Sequence, residues 1–310
     1  MLEQEYWTRR KVLVTGGSGF LGSHLCRDLC RLGAEVHATS RVNRPGQQDG
    51  PIWWKSDLRC LDEVRTILSK GRFEVVYHLA GSVGAKPDLE LIQPTFQSLL
   101  LTTVNILIAG TEFRCRRIIL VGSLTEPTGQ EREPTPTSPY AAAKWAASGY
   151  GRMFHALYGT PSVILTPFMT FGPGQHPQKL IPSVILSLLK GEVPRLTSGR
   201  WEADWVYVDD VVRGFLACAQ APGVEGMAFD LGSGLRSSVR RVVELVVQQM
   251  GSHVRPAFGE FPDRPMEPVR VADTAYTLKQ LGWECTTTLE KGLRQTIDWY
   301  NGNRHVSEMP

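Results

Sequence analysis

A chain of 310 residues with 42% hydrophobic composition can bury a substantial core, as one large domain or two modest ones. Its 34 basic and 31 acidic residues are mixed along the chain and leave a formal charge of +3. Because no long block of one sign indicates a nucleic-acid or membrane surface, we expect a small-molecule partner, no nucleic acid and no membrane.

The six cysteines are scattered, and the close pair Cys26 and Cys30 has helical rather than metal-ligand spacing. No apolar run approaches the roughly 18 residues of a membrane span. Residues 1–10 lack the apolar stretch of a signal peptide and are predicted to be a disordered lead-in. These features predict a cytoplasmic protein without a metal site.

Short apolar runs alternate with longer amphipathic segments from Lys11 onward. The runs are KVLVTG, AEVHATS, FEVVYHLAG, RRIILVGS and SVILT, and helical patterns cover 20–32, 61–68, 91–109 and 140–158. This alternation is typical of a parallel sheet with crossover helices. It predicts an α/β fold, a Rossmann-type doubly wound parallel sheet with a smaller C-terminal substrate domain.

The composition changes after Thr166, where proline and glycine become frequent and the elements less regular. The Rossmann domain is therefore predicted to span residues 11–166, and the substrate-binding domain residues 167–203 and 233–310. Two segments near 204–232 read as strand pieces and are predicted to return to the main sheet.

The glycine turn TGGSGFLG, residues 15–22, lies between a predicted strand and a predicted helix. Gly16 permits a tight turn, Gly19 lets the backbone approach a pyrophosphate, and Gly22 lets the helix pack closely on the strand. The helix N-terminus then faces the anion. We favour dinucleotide binding over an ordinary strand-to-helix turn because strand, glycines and helix agree, and we place Phe20 and Leu21 in the same cofactor site.

The end of the second predicted strand bears on the choice of cofactor. A carboxylate there commonly accepts the ribose hydroxyls of NAD, but this chain has Ser40 and Arg41, with Arg44 nearby. A hydroxyl and a guanidinium suit the 2′-phosphate of NADP. NADP(H) is therefore favoured and NAD(H) stays open, since Arg41 is alternatively a solvated loop arginine.

Further cofactor contacts are predicted where later strands end. Residues that follow the third strand would border the adenine, and residues that end the fourth strand would line the cofactor at the carboxyl edge of the sheet. They are Asp57 and Leu58, and Leu79, Ala80 and Gly81.

Tyr140 and Lys144 are the candidate catalytic pair, four residues apart on one helix face. Lys144 can lower the pKa of the phenol and hold the nicotinamide ribose, while Tyr140 exchanges a proton with a substrate oxygen. A third hydroxyl is expected from the end of the fifth strand. Counting from the strand selects Ser123, whereas counting back from Gly129 shifts the register toward Leu124 or Thr125. Ser123 is therefore preferred, and Thr125 is the alternative hydroxyl.

Motifs stand along nearly the whole chain: TGGSGFLG (15–22), HLAG (78–81), SPYAAAK (138–144), GPGQ (172–175) and DWVYVDDVV (204–212). Together they resemble the extended short-chain dehydrogenase/reductase family, the NAD(P)-dependent epimerase/dehydratase group that acts on nucleotide sugars. The resemblance implies a Ser/Thr-Tyr-Lys triad, a nucleotide-sugar substrate and a homodimer. It also implies that Pro167 contacts the cofactor and that Ser82 and Ser123 contact the substrate.

The chain departs from the family directly after the triad hydroxyl. Relatives that dehydrate sugars carry Asp-Glu there as acid and base, whereas this chain has Leu124 and Thr125, with Glu126 one position late. Dehydration is therefore disfavoured, although the register leaves it open.

Positions that commonly serve the nucleotide also differ. Thr166 and Met169 stand where relatives often have Arg and Asn, and Ala203 replaces an Arg. Arginines could compensate by binding the phosphates, or they could be ordinary surface residues. They are Arg200, Arg264 and Arg270.

These observations favour an NADPH-dependent reductase of a nucleotide-linked 4-keto-6-deoxysugar, with Tyr140 as the general acid, Ser123 holding the ketone and Lys144 tuning the tyrosine. The alternatives are a nucleotide-sugar 4-epimerase or dehydratase with tightly bound NAD(P), and a ketoreductase of a non-sugar substrate. A non-enzymatic alternative is a redox-sensing binding protein that kept the Rossmann domain.

Overall fold

The computed structural model describes residues 2–46, 48–84, 86–127, 133–263 and 269–303. The chain divides into two compact units. The first consists of Met1–Thr166, Val212–Phe229 and Lys279–Trp283, and the second of Pro167–Val211, Asp230–Leu278 and Glu284–Pro310.

The elements run along the described chain as follows. The strands are β1 (Lys11–Thr15), β2 (Glu35–Ser40), β3 (Ile52–Lys55), β4 (Val75–His78), β5 (Arg117–Val121), β6 (Ser162–Pro167), β7 (Met169–Phe171), β8 (Arg195–Leu196), β9 (Glu202–Tyr207), β10 (Ala228–Leu231), β11 (Arg236–Ser238) and β12 (Ala257–Phe258). The α-helices are α1 (Leu2–Trp7), α2 (Phe20–Arg31), α3 (Leu61–Gly71), α4 (Ile92–Thr95), α5 (Thr102–Glu112), α6 (Pro139–Tyr158), α7 (Leu180–Leu189), α8 (Val208–Gln220), α9 (Val239–Met250), α10 (Thr274–Leu281) and α11 (Leu289–Gly302).

A seven-stranded sheet in the order β10-β6-β5-β4-β1-β2-β3 organises the first unit. The pairs from β3 across to β6 are parallel. Because the chain leaves β1 in one direction toward β2 and β3 and in the other toward β4, β5 and β6, the order reverses beside β1. This is the doubly wound arrangement, and the predicted fold class is confirmed.

The core explains why the predicted strands read as continuous apolar runs. Val12, Leu13 and Val14 of β1 are fully buried because helices cover both faces of the sheet. On one face, Leu13 belongs to a cluster with Ile106 of α5 and Phe154 of α6. The sheet is thereby fixed against the two helices that follow β4 and β5.

The helix after β4 is irregular. Leu89–Leu91 is a 3₁₀ turn, α4 follows, and a π-helical stretch, Phe96–Leu101, leads into α5. The whole segment, Leu89–Glu112, is 24 residues long and, by length and composition alone, apolar enough to cross a membrane. Ile106 and Leu107 in it are fully buried in the sheet core, as expected of a core helix in a globular protein.

The N-terminal segment corrects one expectation. Residues 1–10 were predicted to be a disordered lead-in, but α1 forms there and Trp7 is fully buried. The Tyr6 hydroxyl donates to the carbonyl oxygen of Ala219, which lies in α8. Burial of the large Trp7 side chain stabilises this short helix, which is too short to show a helical period in the sequence.

The returning segments correct a second expectation. Strand β10 joins the main sheet, but β9 pairs with β7 and β11 in a separate three-stranded sheet. In addition, Lys279–Trp283 belongs to the first unit although residues 233–310 were all expected in the substrate domain. An apolar run predicts a buried strand but does not encode which sheet it joins.

The second unit combines this three-stranded sheet with a two-stranded sheet, β12-β8. The Asp204 carboxylate of β9 accepts hydrogen bonds from the backbone amides of Ser233, Gly234 and Ala272. Helix α9 begins at the capping residue Ser238, whose side-chain oxygen accepts from the Arg241 amide at 3.1 Å. These bonds fix the loops that surround β9.

Candidate active site

The glycine turn connects β1 to α2, and its backbone leaves no room for side chains. Gly16 has φ +69°, and a Cβ there would lie 2.8 Å from the backbone nitrogen of Ala80. A Cβ on Gly22 would overlap the carbonyl oxygen of Gly16, to which the Gly19 amide donates at 2.9 Å. Only glycine satisfies these approaches without moving the backbone.

Helix α2 starts directly after this turn. Its capping residue, Gly19, has an extended backbone and no side chain that could accept from the first amides of the helix. These N–H groups and the helix dipole therefore remain available for an anion. The cradle of glycines fits the pyrophosphate of a dinucleotide, and Phe20 and Leu21 begin the helix there.

The end of β4 lies against the same turn. The Thr15 hydroxyl lies 2.8 Å from Nδ1 of His78 and accepts from the Ala80 amide at 3.2 Å, while the Leu79 amide donates to the Thr15 carbonyl oxygen. A Cβ on Gly81 would overlap the Leu99 side chain. The structure therefore brings the glycine turn and the predicted Leu79–Ala80–Gly81 segment together.

The predicted ribose and adenine residues lie at the ends of β2 and β3. Ser40 accepts from the Val42 amide at 3.2 Å, and Arg41 is exposed. Asp57 holds Arg59, with Arg59 Nε 2.9 Å from Oδ1. This hydrogen bond, with smaller help from the charge of Arg41, keeps the pKa of Asp57 below its ordinary value. Arg41 thus lies within electrostatic range of a carboxylate, while Leu58 is buried.

The candidate catalytic residues meet where β5 ends and α6 begins. Ser138 caps α6, accepting from the Ala141 amide at 3.1 Å, and so sets the position of Tyr140 in the first helical turn. The Tyr140 and Ser123 side chains are hydrogen-bonded. One turn along α6, Lys144 Nζ donates to the Val121 carbonyl oxygen at 2.8 Å. The structure thereby brings Ser123, Tyr140 and Lys144 together.

Thr125 lies behind the serine. Its hydroxyl is 2.9 Å from Ser123 Oγ, and its amide donates to the same oxygen at 3.3 Å. Of the two hydroxyls considered from the sequence, Ser123 is the one bonded to Tyr140. Gly129, from which the alternative register was counted, lies outside the described residues.

Burial controls the protonation of this group. It raises the pKa of Tyr140, the Ser123 hydrogen bond opposes the rise, and the charge of Glu126 adds to it. Burial also lowers the pKa of Lys144 to about 8, against the opposing attraction of Glu126. The sequence predicted a tyrosine with a lowered pKa, whereas in the structure burial outweighs the neighbouring charges.

Glu126 is the feature that the sequence reading missed. Its Oε1 accepts from the backbone amide of Ser123 at 2.6 Å, and its side chain is hydrogen-bonded to Ser148 of α6. Burial raises the pKa of Glu126, while these bonds and the charge of Lys144 oppose the rise. The available signal was an acidic residue three positions after Ser123, which the sequence reading considered only as a dehydratase residue.

The predicted substrate residues occupy different parts of the chain. Ser82, in the first unit, is exposed and lies 2.8 Å from Ser98, oxygen to oxygen. In the second unit, Pro167 ends β6, Arg200 is exposed, and the Arg270 guanidinium lies 5.6 Å from the Phe168 ring centroid. Arg264 lies outside the described residues.

A doubly wound sheet with this glycine turn, and a Ser–Tyr–Lys group at the end of β5, defines a dehydrogenase-type Rossmann enzyme. Residues 12–232 match the sequence model of the NAD dependent epimerase/dehydratase family. The chain belongs to this family, and it is an enzyme of the extended short-chain dehydrogenase/reductase type.

Three relatives cover nearly the whole chain. The UDP-glucuronate 4-epimerase of Thermodesulfobacterium geofontis is 25% identical over 313 residues, 94% of this chain and 96% of the relative. The dTDP-glucose 4,6-dehydratase of Haemophilus influenzae is 28% identical over 337 residues, covering 96% and 99%. The crystal structure of Thermus thermophilus UDP-glucose 4-epimerase in complex with NAD superimposes with a TM-score of 0.81 at 27% identity, covering 94% and 99%.

These matches confirm some of the expectations made from the sequence and do not confirm others. The family, the enzyme class and the fold are confirmed, and the non-enzymatic alternative is set aside. The specific expectation of an NADPH-dependent reductase is not confirmed. The three relatives are named for epimerisation and dehydration, and the structural relative holds NAD.

Proposed function

We propose that this protein is a nucleoside-diphosphate-sugar 4-epimerase that works with a tightly held NAD(H). The observation that carries the proposal is that Ser123, Tyr140 and Lys144 meet where β5 ends and α6 begins, with Lys144 Nζ fixed on the Val121 carbonyl oxygen at 2.8 Å. The names of the epimerase relatives support the same reaction.

The glycine turn would hold the pyrophosphate, with Asp57 and Leu58 near the adenine, Ala80 along the dinucleotide and Pro167 near the nicotinamide. When bound, the cofactor supplies a reversible acceptor for the hydride of a sugar carbon. Arg41 was expected to favour NADP, but the Thermus thermophilus UDP-glucose 4-epimerase, 27% identical to this chain, holds NAD in its crystal structure. This supports NAD(H) over NADP(H).

Epimerisation needs one proton acceptor that later returns the proton. Tyr140 would take the proton of the sugar 4-hydroxyl and give it back after the sugar has presented its other face. Ser123 would orient the sugar oxygen through its hydroxyl, and the Lys144 ammonium would stabilise the negative charge on the Tyr140 oxygen. A single hydroxyl serves both directions, so no second acid is needed.

The loop after Ser123 favours epimerisation over dehydration. Elimination of water needs an additional acid and base at the sugar, and Leu124 and Thr125 supply no carboxylate. The Glu126 carboxylate accepts from the Ser123 amide within the fold. The first acidic residue after Ser123 is therefore engaged with the protein backbone.

Product analysis tests the proposal. Purified protein would be incubated with UDP-glucose, UDP-glucuronate or dTDP-glucose, with sugar configuration followed by NMR and nicotinamide by absorbance at 340 nm. We expect a change of configuration at C4 without net cofactor change. Net NADPH consumption with a 4-keto substrate would support the reductase instead, and accumulation of a 4-keto-6-deoxysugar would support a dehydratase.

Arginine side chains would bind the phosphates of the substrate. Arg200 and Arg270 are proposed to bind the diphosphate, and Ser82 the sugar. Arg200→Ala and Arg270→Ala should then raise KM for the nucleotide sugar without lowering kcat in proportion. An unchanged KM in both variants would assign the nucleotide to other residues.

We also propose that the chain works as a cytoplasmic homodimer. Large apolar side chains are exposed on the helix after β4 and on α6, namely Ile92, Phe96, Tyr150 and Leu157. These two helices pack against one another, so their exposed side chains offer an apolar surface for a second copy. Size-exclusion chromatography with light scattering measures the molar mass of the protein in solution and tests this proposal. The Phe96→Asp substitution should shift that mass from the dimer toward the monomer.

A further inference from the structure

A partly buried acid, Glu126, lies beside the Tyr140–Lys144 pair without a role in the proposed proton transfer. Glu126 belongs to the turn that follows β5, and its carboxylate reaches back to the start of that turn. Oε1 accepts from the Ser123 amide at 2.6 Å and would lie 3.0 Å from a Cβ on Gly122. The carboxylate is therefore packed against the backbone of the residue that carries the triad hydroxyl.

The other side of the carboxylate faces α6. Its partner there is Ser148, which is buried and stands one helical turn after Lys144. Lys144 itself is held on the carbonyl oxygen of Val121, at the end of β5. Glu126 thus links the end of the strand to the helix that carries Tyr140 and Lys144, in a position that a hydrogen bond fixes on each side.

The charges around the carboxylate are also defined. Two cations on α6, Lys144 and Arg152, oppose the rise in the pKa of this carboxylate. The neighbouring ring on β4, His78, is buried, and its pKa is lowered to about 3 by burial and by the charge of Lys144, so it is neutral at working pH. Glu126 consequently supplies the negative charge that opposes the loss of the Lys144 proton.

We infer that Glu126 is a positioning residue of the proposed epimerase reaction, which orients Ser123 through its backbone amide and keeps Lys144 in its charged form. It acts through these two residues and does not itself exchange a proton with the sugar. The inference rests on the proposed function only for its kinetic consequence, because the charge of Lys144 can be measured without a substrate.

Glu126→Gln isolates the charge. The amide oxygen of glutamine still accepts from the Ser123 amide, and its shape is nearly that of glutamate. Burial lowers the pKa of Lys144, and the negative charge of Glu126 opposes that change. Without this charge the pKa of Lys144 falls further, so Lys144 loses its proton at lower pH. The alkaline limb of the kcat profile should move to lower pH, and kcat at pH 8.5 should fall by about tenfold, the factor that one pH unit represents.

Competitive labelling measures the lysine directly. The protein would be labelled with acetic anhydride between pH 6 and pH 10, and acetylation of Lys144 quantified by mass spectrometry. The midpoint should lie near pH 8 in the unmodified protein and lower in E126Q. Ser148→Ala should shift it in the same direction by less, because it removes only the bond that helps keep Glu126 ionised. Glu112→Gln, at an exposed acid bonded to Arg65, should leave it unchanged.

The outcomes separate the two proposals. A lowered Lys144 midpoint in E126Q supports the inference even if none of the sugars is epimerised, a result that would count against the proposed function alone. An unchanged midpoint in both E126Q and S148A overturns the inference. So does a kcat profile that keeps its shape in E126Q and only falls by a constant factor, since that result describes a structural role without a charge effect. Far-UV spectra and melting curves would establish that both variants are folded.

Discussion

The candidate site has two parts that are built in different ways. The glycine turn between β1 and α2 is made of backbone, and its fit depends on approaches such as that of Gly16 to the Ala80 nitrogen. The catalytic group between β5 and α6 is made of side chains and depends on bonds such as Lys144 to Val121. Substitutions in the glycine turn should therefore cause steric overlap and reduce both cofactor binding and the stability of the fold. Substitutions in the catalytic group should reduce kcat and leave the fold intact.

Tyr140→Phe should produce the largest effect. It removes the hydroxyl bonded to Ser123 and no backbone contact, so kcat should fall by about 10²–10⁴-fold, the usual contribution of a positioned general acid or base. The melting temperature and the Kd for NAD should stay near those of the unmodified protein, as measured by scanning fluorimetry and titration calorimetry. Full turnover in this variant would remove Tyr140 from the mechanism.

Gly22→Ala should disrupt the glycine turn between β1 and α2. The added methyl would overlap the Gly16 carbonyl oxygen, which belongs to rigid backbone, and we expect a loss of about 1–3 kcal/mol or more in the free energy of unfolding together with weak NAD binding. Gly149→Ala is the matched control. It is also a helical glycine in the first unit, but nothing lies within 4 Å of its Cβ position. Alanine there should stabilise the helix by about 0.5–1 kcal/mol. Equal melting curves for the two variants would contradict the steric account.

Ser123→Ala and Thr125→Ala sharpen the register of the catalytic part. Because the Ser123 side chain is bonded to Tyr140, whereas the Thr125 hydroxyl is bonded to Ser123, the first substitution should lower kcat about 10–100-fold, as expected for one lost transition-state hydrogen bond. The second should change kcat less than about threefold. Steady-state kinetics on both variants decides between them, and the reverse order of effects would move the triad hydroxyl to Thr125.

The same division explains what could be predicted from the sequence. The parallel sheet and the glycine turn follow from local patterns, since buried strands are apolar throughout and Gly16 and Gly22 occupy places where a side chain cannot fit. Tyr140 and Lys144 were found because helical spacing alone places them on one face. Each of these features is contained in a short stretch of chain.

Features that depend on distant partners were not predicted. Helix α1 is held by burial of Trp7, and the partners of β9 are set by the three-stranded sheet rather than by its own sequence. Glu126 was missed because its position depends on the turn folding back onto the Ser123 amide and on Ser148, which is 22 positions further along the chain. A pattern of residue types along the sequence does not show which distant residues come into contact in the fold.

His78 connects the two parts of the site, because it is bonded to Thr15 at the glycine turn and its pKa is affected by the charge of Lys144. Substitution of His78 should give the smallest effect, a change in the free energy of unfolding that is visible only at acidic pH. Its pKa is lowered from 6.5 to about 3, so the unfolded chain binds a proton that the folded chain does not. The stability that neutral His78 contributes is thus present above pH 6.5 and lost as the pH falls toward 3. At pH 5.5 the loss should be about 1 kcal/mol. In His78→Asn, which keeps a polar atom near the position of Nδ1, denaturant unfolding should show a correspondingly flatter stability curve between pH 7 and 5. Parallel curves for the two proteins would mean that His78 binds its proton equally well in the folded and unfolded chains, so that folding does not lower its pKa.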